Sequence, residues 1–266
     1  MLTPLVWLRN AIDYPIRHLI KLRRGAPPLP AEPKDGLFPP AVQAEADRLV
    51  RTYGLERWAR QSGRTDFAAS LFYLQMLERA LEEGRVRLPS PVTAVDAGCG
   101  DWFYVQALHG LLRHHGSEPP RTVILDGVEV DAWALYAGFR SRYDWAQAYA
   151  AGCDGATYLP QDIRQYRREV DLALMLFPFL FADDLRRWGL PRRYLRPGEY
   201  LRHVWGLLKP GGWLVVANLG GAERIEQHRL LAEAGIPIGW WGEHSSPLFA
   251  YEQPRYLTVA RRPLDV

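Results

Sequence analysis

The sequence has little cysteine, little lysine, little net charge and no long apolar run. Its two cysteines, Cys99 and Cys153, exclude a disulfide framework and a cysteine-rich zinc site, so reduced thiols and a cytoplasmic location are the expectation. The 33 basic and 30 acidic side chains leave a formal charge of +3, which excludes a histone-like polycation. Lysine occurs only at Lys21, Lys34 and Lys209, so almost all basic side chains are arginine, and they carry information only where they cluster. The longest apolar run, Leu172 to Ala182, covers 11 residues between two aspartates. A bilayer requires about 20, so no spanning helix is expected. Near the start, Arg9, Asp13, Arg17 and Lys21 interrupt the apolar residues and no small-residue cleavage pattern follows, which argues against a secretory leader.

What is present is a chain of 266 residues, 48% of them hydrophobic, with 10 tryptophans and 13 tyrosines, enough to bury a core without staples. Leu5, Leu8, Ile12, Ile16, Leu19 and Ile20 recur at helical spacing among basic residues, so residues 1–24 read as a basic amphipathic helix, from about residue 4 onward. Its apolar face is expected to dock on the main domain; contact with anionic lipid is the alternative. Residues 25–40 carry six prolines and read as an extended linker. Residues 41–90 read as a helical cap, with helices over Ala41 to Gln61 and Phe67 to Glu83.

From residue 91 to 266, short β-rich runs alternate with helical ones, the signature of an α/β domain with a mainly parallel sheet. Strands are expected at Thr93 to Ala97, Thr122 to Val128, Ala156 to Leu159, Val170 to Phe177, Trp213 to Asn218, Ile236 to Trp241 and Arg255 to Arg261. Helices are expected at Phe103 to His114, Ala132 to Ala150, Gly198 to Leu208 and Ala222 to Ala234. The last two strands have no helix between them and should be antiparallel neighbours.

The most informative stretch is P-V-T-A-V-D-A-G-C-G-D-W-F, Pro91 to Phe103. An apolar strand ends at Asp96. Gly98 and Gly100 then allow a tight turn and close backbone approach to a ligand, and the helix that follows offers unpaired N–H groups. Three further motifs follow in order: D-G-V-E-V-D, which places Glu129 at the end of the second strand; Q-D-I, with Asp162 after the third; and L-K-P-G-G, which turns from a helix into a strand. A strand-end carboxylate such as Glu129 can hold both hydroxyls of a ribose, and Asp162 is placed to read an adenine amino edge.

With these motifs the chain resembles the class I S-adenosyl-L-methionine (SAM)-dependent methyltransferases, from about Thr93 to Arg262. The resemblance implies a Rossmann-like α/β fold, with a seven-stranded, mainly parallel sheet, helices on both faces and the last strand antiparallel, here preceded by the N-terminal helical extension. It also implies SAM as cofactor, with Asp96, Gly98, Cys99 and Gly100 at the methionine part, Glu129 at the ribose and Asp162 at the adenine. Two departures stand out. Trp102 occupies the usual position of a third glycine, where it can cover the methionine end, and Asp96 and Glu129 are 33 residues apart, a long interval for the family.

The acceptor should lie beyond the fourth strand, near Phe177 and Phe179. The resembling nucleic-acid amino-methylating enzymes carry a polar residue there. This chain reads F-P-F-L, which disfavours that activity. Downstream, Arg186, Arg187, Arg192, Arg193 and Arg196 fall within 11 residues, and such forks can grip a phosphate or carboxylate or simply pair with Asp183, Asp184 and Glu199. Asp183, Arg186 and Arg187 are therefore candidate acceptor contacts. A small-molecule or lipid-like acceptor is favoured; an RNA- or protein-directed enzyme and a non-catalytic SAM-binding protein are the alternatives. Tyr136 and Arg140 are minor ribose-end candidates, and His114 and His115 lack partners at metal-ligand spacing, so no metal is expected.

Overall fold

The computed structural model describes residues 3–264, so residues 1–2 and 265–266, the ends of the first and last expected segments, lie outside the described residues. Seven strands form one sheet: β1 (Val92–Ala97), β2 (Val123–Val128), β3 (Ala156–Leu159), β4 (Val170–Leu176), β5 (Leu208–Leu219), β6 (Ile238–His244) and β7 (Arg255–Arg261). Their spatial order is β3-β2-β1-β4-β5-β7-β6. The pairs from β3 to β5 are parallel, and β7 is antiparallel to both β5 and β6. The central strands are apolar on both faces because both faces are covered. Neighbouring residues divide between two cores: Ala94, Leu172 and Val215 face one, and Val95, Ala173 and Val216 face the other.

The first core receives α2 (Pro40–Tyr53), α3 (Glu56–Gln61), α4 (Arg64–Glu83), α5 (Val105–His114) and α6 (Arg142–Ala150). The second receives α8 (Pro197–Gly206) and α9 (Gly220–Glu233). Between β4 and α8 runs α7 (Ala182–Trp188), stopped by Gly189 in the left-handed region at φ 91°. Leu49, Trp58 and Leu71 share one core with the strands, so α2 to α4 pack directly onto the sheet's own interior.

Several elements differ from expectation for local reasons. The helix expected from Ala41 to Gln61 breaks at Gly54, whose φ of 66° closes α2 with its N–H donating to the carbonyl of Val50. The helix expected from Ala132 to Ala150 exists only from Arg142 onward. Before it, an antiparallel bridge joins Leu135 to Ser141 around Gly138 at φ 74°, and Ser141 and Asp144 form a reciprocal capping box. The proline-rich stretch has no helix or strand through Pro33, and it is tied down where Glu32 N–H and Lys34 Nζ both donate to the carbonyl of Ser62.

The first helix, α1 (Thr3–Ile20), reverses the expected docking. Its inward side packs Trp7 and Tyr14 with Leu185 and Leu190 and is otherwise polar. Asn10 donates to the carbonyls of Arg186 and Leu190, Tyr14 donates to that of Val130, and Arg17 makes a bidentate pair with Asp131 at 2.7 and 2.9 Å. Its aliphatic residues Leu5, Leu8, Ile12, Ile16, Leu19 and Ile20 face solvent, with exposures running from 49% at Ile16 to 85% at Leu19. No helix among the described residues is long and apolar enough to cross a membrane.

Candidate functional site

A cavity of about 580 Å³ opens at the carboxyl ends of β1, β2, β4 and β5, where ligands of open α/β sheets collect. The β1 turn builds one wall. Gly98 and Gly100 hold φ of 82° and 63°, and a Cβ on Gly98 would meet nothing within 4 Å, so the backbone there is bare toward the cavity. Gly98 N–H donates to the carbonyl of Val128 and Gly100 N–H donates to Glu129, which locks the turn to the end of β2.

Glu129 is buried and lines the cavity. One carboxylate oxygen accepts from Gly100 N–H at 2.9 Å and the other from Asp131 N–H at 2.7 Å. Each oxygen thus retains acceptor capacity for a second partner, such as a hydroxyl pair. Burial raises its pKa, and nearby Arg142 works against that shift. Arg142 also pairs with buried Asp131 at 3.0 Å and lies 4.0 Å over the Trp188 ring. A Cβ on Gly100 would meet the Trp188 ring at 3.8 Å, so α7 roofs the glycine turn.

The expected site residues divide. Gly98, Cys99, Gly100, Glu129 and Asp162 line the cavity, as do Phe177, Phe179 and Arg187. Asp162 caps a short 3-10 turn, and its carboxylate is gripped by Arg164 at 2.6 Å. Asp96 is not a lining residue. It is fully buried beneath the turn, where it accepts from Trp102 Nε1 at 3.0 Å and Tyr104 Oη at 2.7 Å, and burial pushes its pKa up to about 7. Trp102 does not cover the cavity either. It adopts φ 63° and turns inward, fully buried against Gly127, which has no side chain to obstruct it.

Asp183 and Arg186 also stay outside the cavity. The Asp183 carboxylate is exposed and pairs with Arg186 at 3.1 Å, while Asp184 takes the lining position. Arg196 pairs with Glu199 at 3.0 Å, and the Arg193 guanidinium lies over the rings of Tyr14 and Tyr194. The arginine cluster is thus dispersed, with Arg187 left at the cavity. Tyr136 accepts from Arg142, and Arg140 donates to the carbonyls of Arg24 and Gly25; neither lines the cavity.

Several lining residues escaped the sequence reading, among them Tyr73, Trp188, Tyr200 and Glu223. Glu223 sits in the first turn of α9, directly after β5, and accepts from Leu219 N–H at 2.6 Å. Burial raises its pKa. A carboxylate in the first turn after a central strand is a readable signal, because that turn faces the ligand edge of the sheet. Glu129 follows β2 and Glu223 follows β5, and β1 and β4 lie between them. At about 4.8 Å per strand the ends of β2 and β5 lie roughly 14 Å apart, so the two carboxylates belong to opposite sides of the cavity. The walls between are largely apolar: Phe177, Phe179, Leu185 and Trp188. Among the described residues no cluster suits a metal ion.

No protein-family model matches the chain, and no curated protein matches it in sequence. Solved structures match its fold. A protein from Listeria monocytogenes described as a class I SAM-dependent methyltransferase superposes with a TM-score of 0.52 at 17% identity, over 75% of this chain and 60% of that one. This chain therefore spans about three fifths of that protein's length. The [4+2]-cyclase SpnF is similar with a TM-score of 0.49 at 16% identity, over 72% of this chain and 83% of that one. A 1,6-didemethyltoxoflavin-N1-methyltransferase from Burkholderia thailandensis gives 0.46 at 14% identity, over 91% and 94%. With its strand order and the Listeria match, the chain has the α/β fold of the class I SAM-dependent methyltransferases.

Proposed function

We propose that this protein is a SAM-dependent methyltransferase acting on a small or lipid-like acceptor, with an anionic group of that acceptor held beside Arg187. The observation that carries the reading is one cavity joining a bare glycine turn and a buried Glu129 with acceptor capacity to spare at one end to an apolar chamber with its own carboxylate, Glu223, at the other.

The donor set fits the cofactor. Gly98, Cys99 and Gly100 would flank the methionine part, Glu129 the ribose hydroxyls, and Asp162 with Ile163 the adenine; all line the cavity. Asp96 would act from beneath, holding the turn through Trp102 and Tyr104. When bound, SAM supplies a sulfonium methyl group, an electrophile that demands alignment above all. Phe177, Phe179 and Trp188 exclude water from the chamber. Glu223, raised by burial, accepts the proton that an amine or hydroxyl acceptor gives up.

In this reading residues 91–266 form the SAM-binding domain. Residues 1–24, 25–40 and 41–90 are a helical extension whose first helix braces the α7 wall through Asn10 and Arg17. A cytoplasmic location suits two buried free thiols and a cytosolic cofactor. Nucleic acid is a poor acceptor here because most of the clustered arginines already have protein partners.

Calorimetric titration with S-adenosylhomocysteine tests the reading. Saturable binding is expected, weakened at least about tenfold in Glu129→Ala through the lost hydrogen bonds and unchanged in Arg187→Ala. A folded wild-type protein that binds neither S-adenosylhomocysteine nor SAM overturns it. Incubation with methyl-labelled SAM and a lipid extract then identifies the acceptor class.

A further inference from the structure

The orientation of α1 is fixed by chemistry on its inward side. Asn10, Tyr14, Arg17 and His18 reach the carbonyls of Val130, Arg186, Gly189 and Leu190 and the buried carboxylate of Asp131. With that side locked, Leu5, Leu8, Ile12, Ile16, Leu19 and Ile20 form one outward apolar stripe along the whole helix. Water is a poor neighbour for six aliphatic side chains, and a stripe of this kind marks an interaction face.

Charge decides the occupant. Arg9 and Lys21 are exposed on or just beyond the helix, as are Arg23 and Arg24, whose guanidiniums lie over the rings of Trp133 and Tyr143 and of Phe139, and Asp13 is the one acidic residue from position 3 to 24. A second copy of this chain would bring the same cationic rim against itself. A protein surface would need matching acidic residues around an apolar groove, whereas an anionic bilayer offers negative headgroups at the rim and hydrocarbon beneath. The helix is interrupted by Arg9, Asp13 and Arg17 and cannot span the membrane, but it can lie in its interface.

We propose that α1 docks this protein on the surface of an anionic lipid bilayer, with the stripe from Leu5 to Ile20 among the upper acyl segments and Arg9, Lys21, Arg23 and Arg24 at the headgroups. The same helix holds the α7 segment through the carbonyls of Arg186, Gly189 and Leu190, and Leu185, Trp188 and Leu190 line the cavity. Docking therefore places α1 between the bilayer and the elements that form the cavity wall. The inference stands apart from the methyltransferase reading, since none of the residues of the stripe lines the cavity.

The test is co-sedimentation of the full-length protein with vesicles of phosphatidylcholine alone and of phosphatidylcholine with about 30% phosphatidylglycerol. The wild type should pellet with the anionic vesicles, and less as salt is raised. Ile12→Glu with Leu19→Glu should lower partitioning at least about tenfold while leaving the melting curve unchanged, because both side chains are already in water. Lys21→Glu with Arg24→Glu should remove the preference for phosphatidylglycerol. A wild type that stays in the supernatant at every lipid concentration overturns the proposal, as does a double-glutamate variant that pellets like wild type. Sedimentation velocity provides the remaining arm: a wild-type dimer dissolved by Ile12→Glu with Leu19→Glu would assign the stripe to a second copy and overturn the bilayer.

Discussion

The indole N–H of Trp102 donates to the Asp96 carboxylate at 3.0 Å, and its ring fills the place a Cβ on Gly127 would need, 2.6 Å away. One bulky side chain thus pins the β1 turn from below and rests on a glycine of β2.

That arrangement predicts a coupled pair. Trp102→Ala should cost about 3–5 kcal/mol through the cavity left behind. Gly127→Ala should cost about 1–3 kcal/mol by overpacking the ring. The double variant should be more stable than the sum of the two losses, because the new methyl enters space the indole has vacated. Urea unfolding of all four proteins measures this, and strict additivity would refute the contact.

The same pair shows what the sequence could and could not disclose. The strands, the antiparallel pairing of the last two and the glycine turn were legible because apolar runs bounded by turn residues mark strands, and neighbouring strands with no helix between them pair antiparallel. The inward turn of Trp102 was not, since the room for it is provided by Gly127, 25 positions away on another strand. Asp96 was assigned a ligand-facing role for the same reason; its partners became visible only when Trp102 and Tyr104 folded over it. Helical spacing revealed both faces of α1, and the rule that apolar faces turn inward chose the wrong one. The deciding partner, buried Asp131, lies 114 positions from Arg17. Arg186 and Arg187 are adjacent in sequence yet only the second meets the cavity, a one-residue rotation of α7 that composition cannot resolve.

Asp96 should imprint itself on the pH dependence of stability. Burial pushes its carboxyl up to about 7 from an ordinary 3.8. The folded chain therefore holds a proton that the unfolded chain has released, and stability falls as pH rises from the unfolded value through the folded one. At its steepest this amounts to about 1.4 kcal/mol per pH unit. Other buried carboxylates act in the same direction, so the comparison is with Asp96→Asn, whose unfolding free energy should decline less between about pH 4 and 7. Parallel profiles for the two proteins would show that Asp96 does not titrate there.

Arg17 should govern whether α1 stays docked. It bridges Asp131 and the Gly189 carbonyl, and Asp131 has no exposed side-chain surface. Arg17→Ala removes one of the two cations on that carboxylate and leaves Arg142. A loss of about 1–3 kcal/mol follows, below the full cost of stripping a buried pair because one partner remains. Limited trypsin digestion reads it directly: cleavage after Arg9 and Lys21 should accelerate in the variant while cleavage in the sheet domain does not. Unchanged cleavage would mean that Asn10 and Tyr14 suffice to hold the helix.

Glu223 should act as the acceptor-end base. It lines the cavity, its pKa is raised by burial, and among the described residues Leu219 N–H is the one donor seen bonded to its carboxylate. A base must be deprotonated to work, so methyl transfer to an amine or hydroxyl should rise with pH through a midpoint above the ordinary glutamate range. Glu223→Gln keeps an oxygen for the Leu219 N–H, so the turn into α9 and the affinity for S-adenosylhomocysteine should survive. The turnover number should fall about 10²–10⁴-fold and its pH dependence on the acidic side should flatten. A purely structural Glu223 would instead give a variant with lowered stability and a pH profile of unchanged shape. Measuring the turnover number against pH for both proteins, alongside their melting temperatures, separates the two.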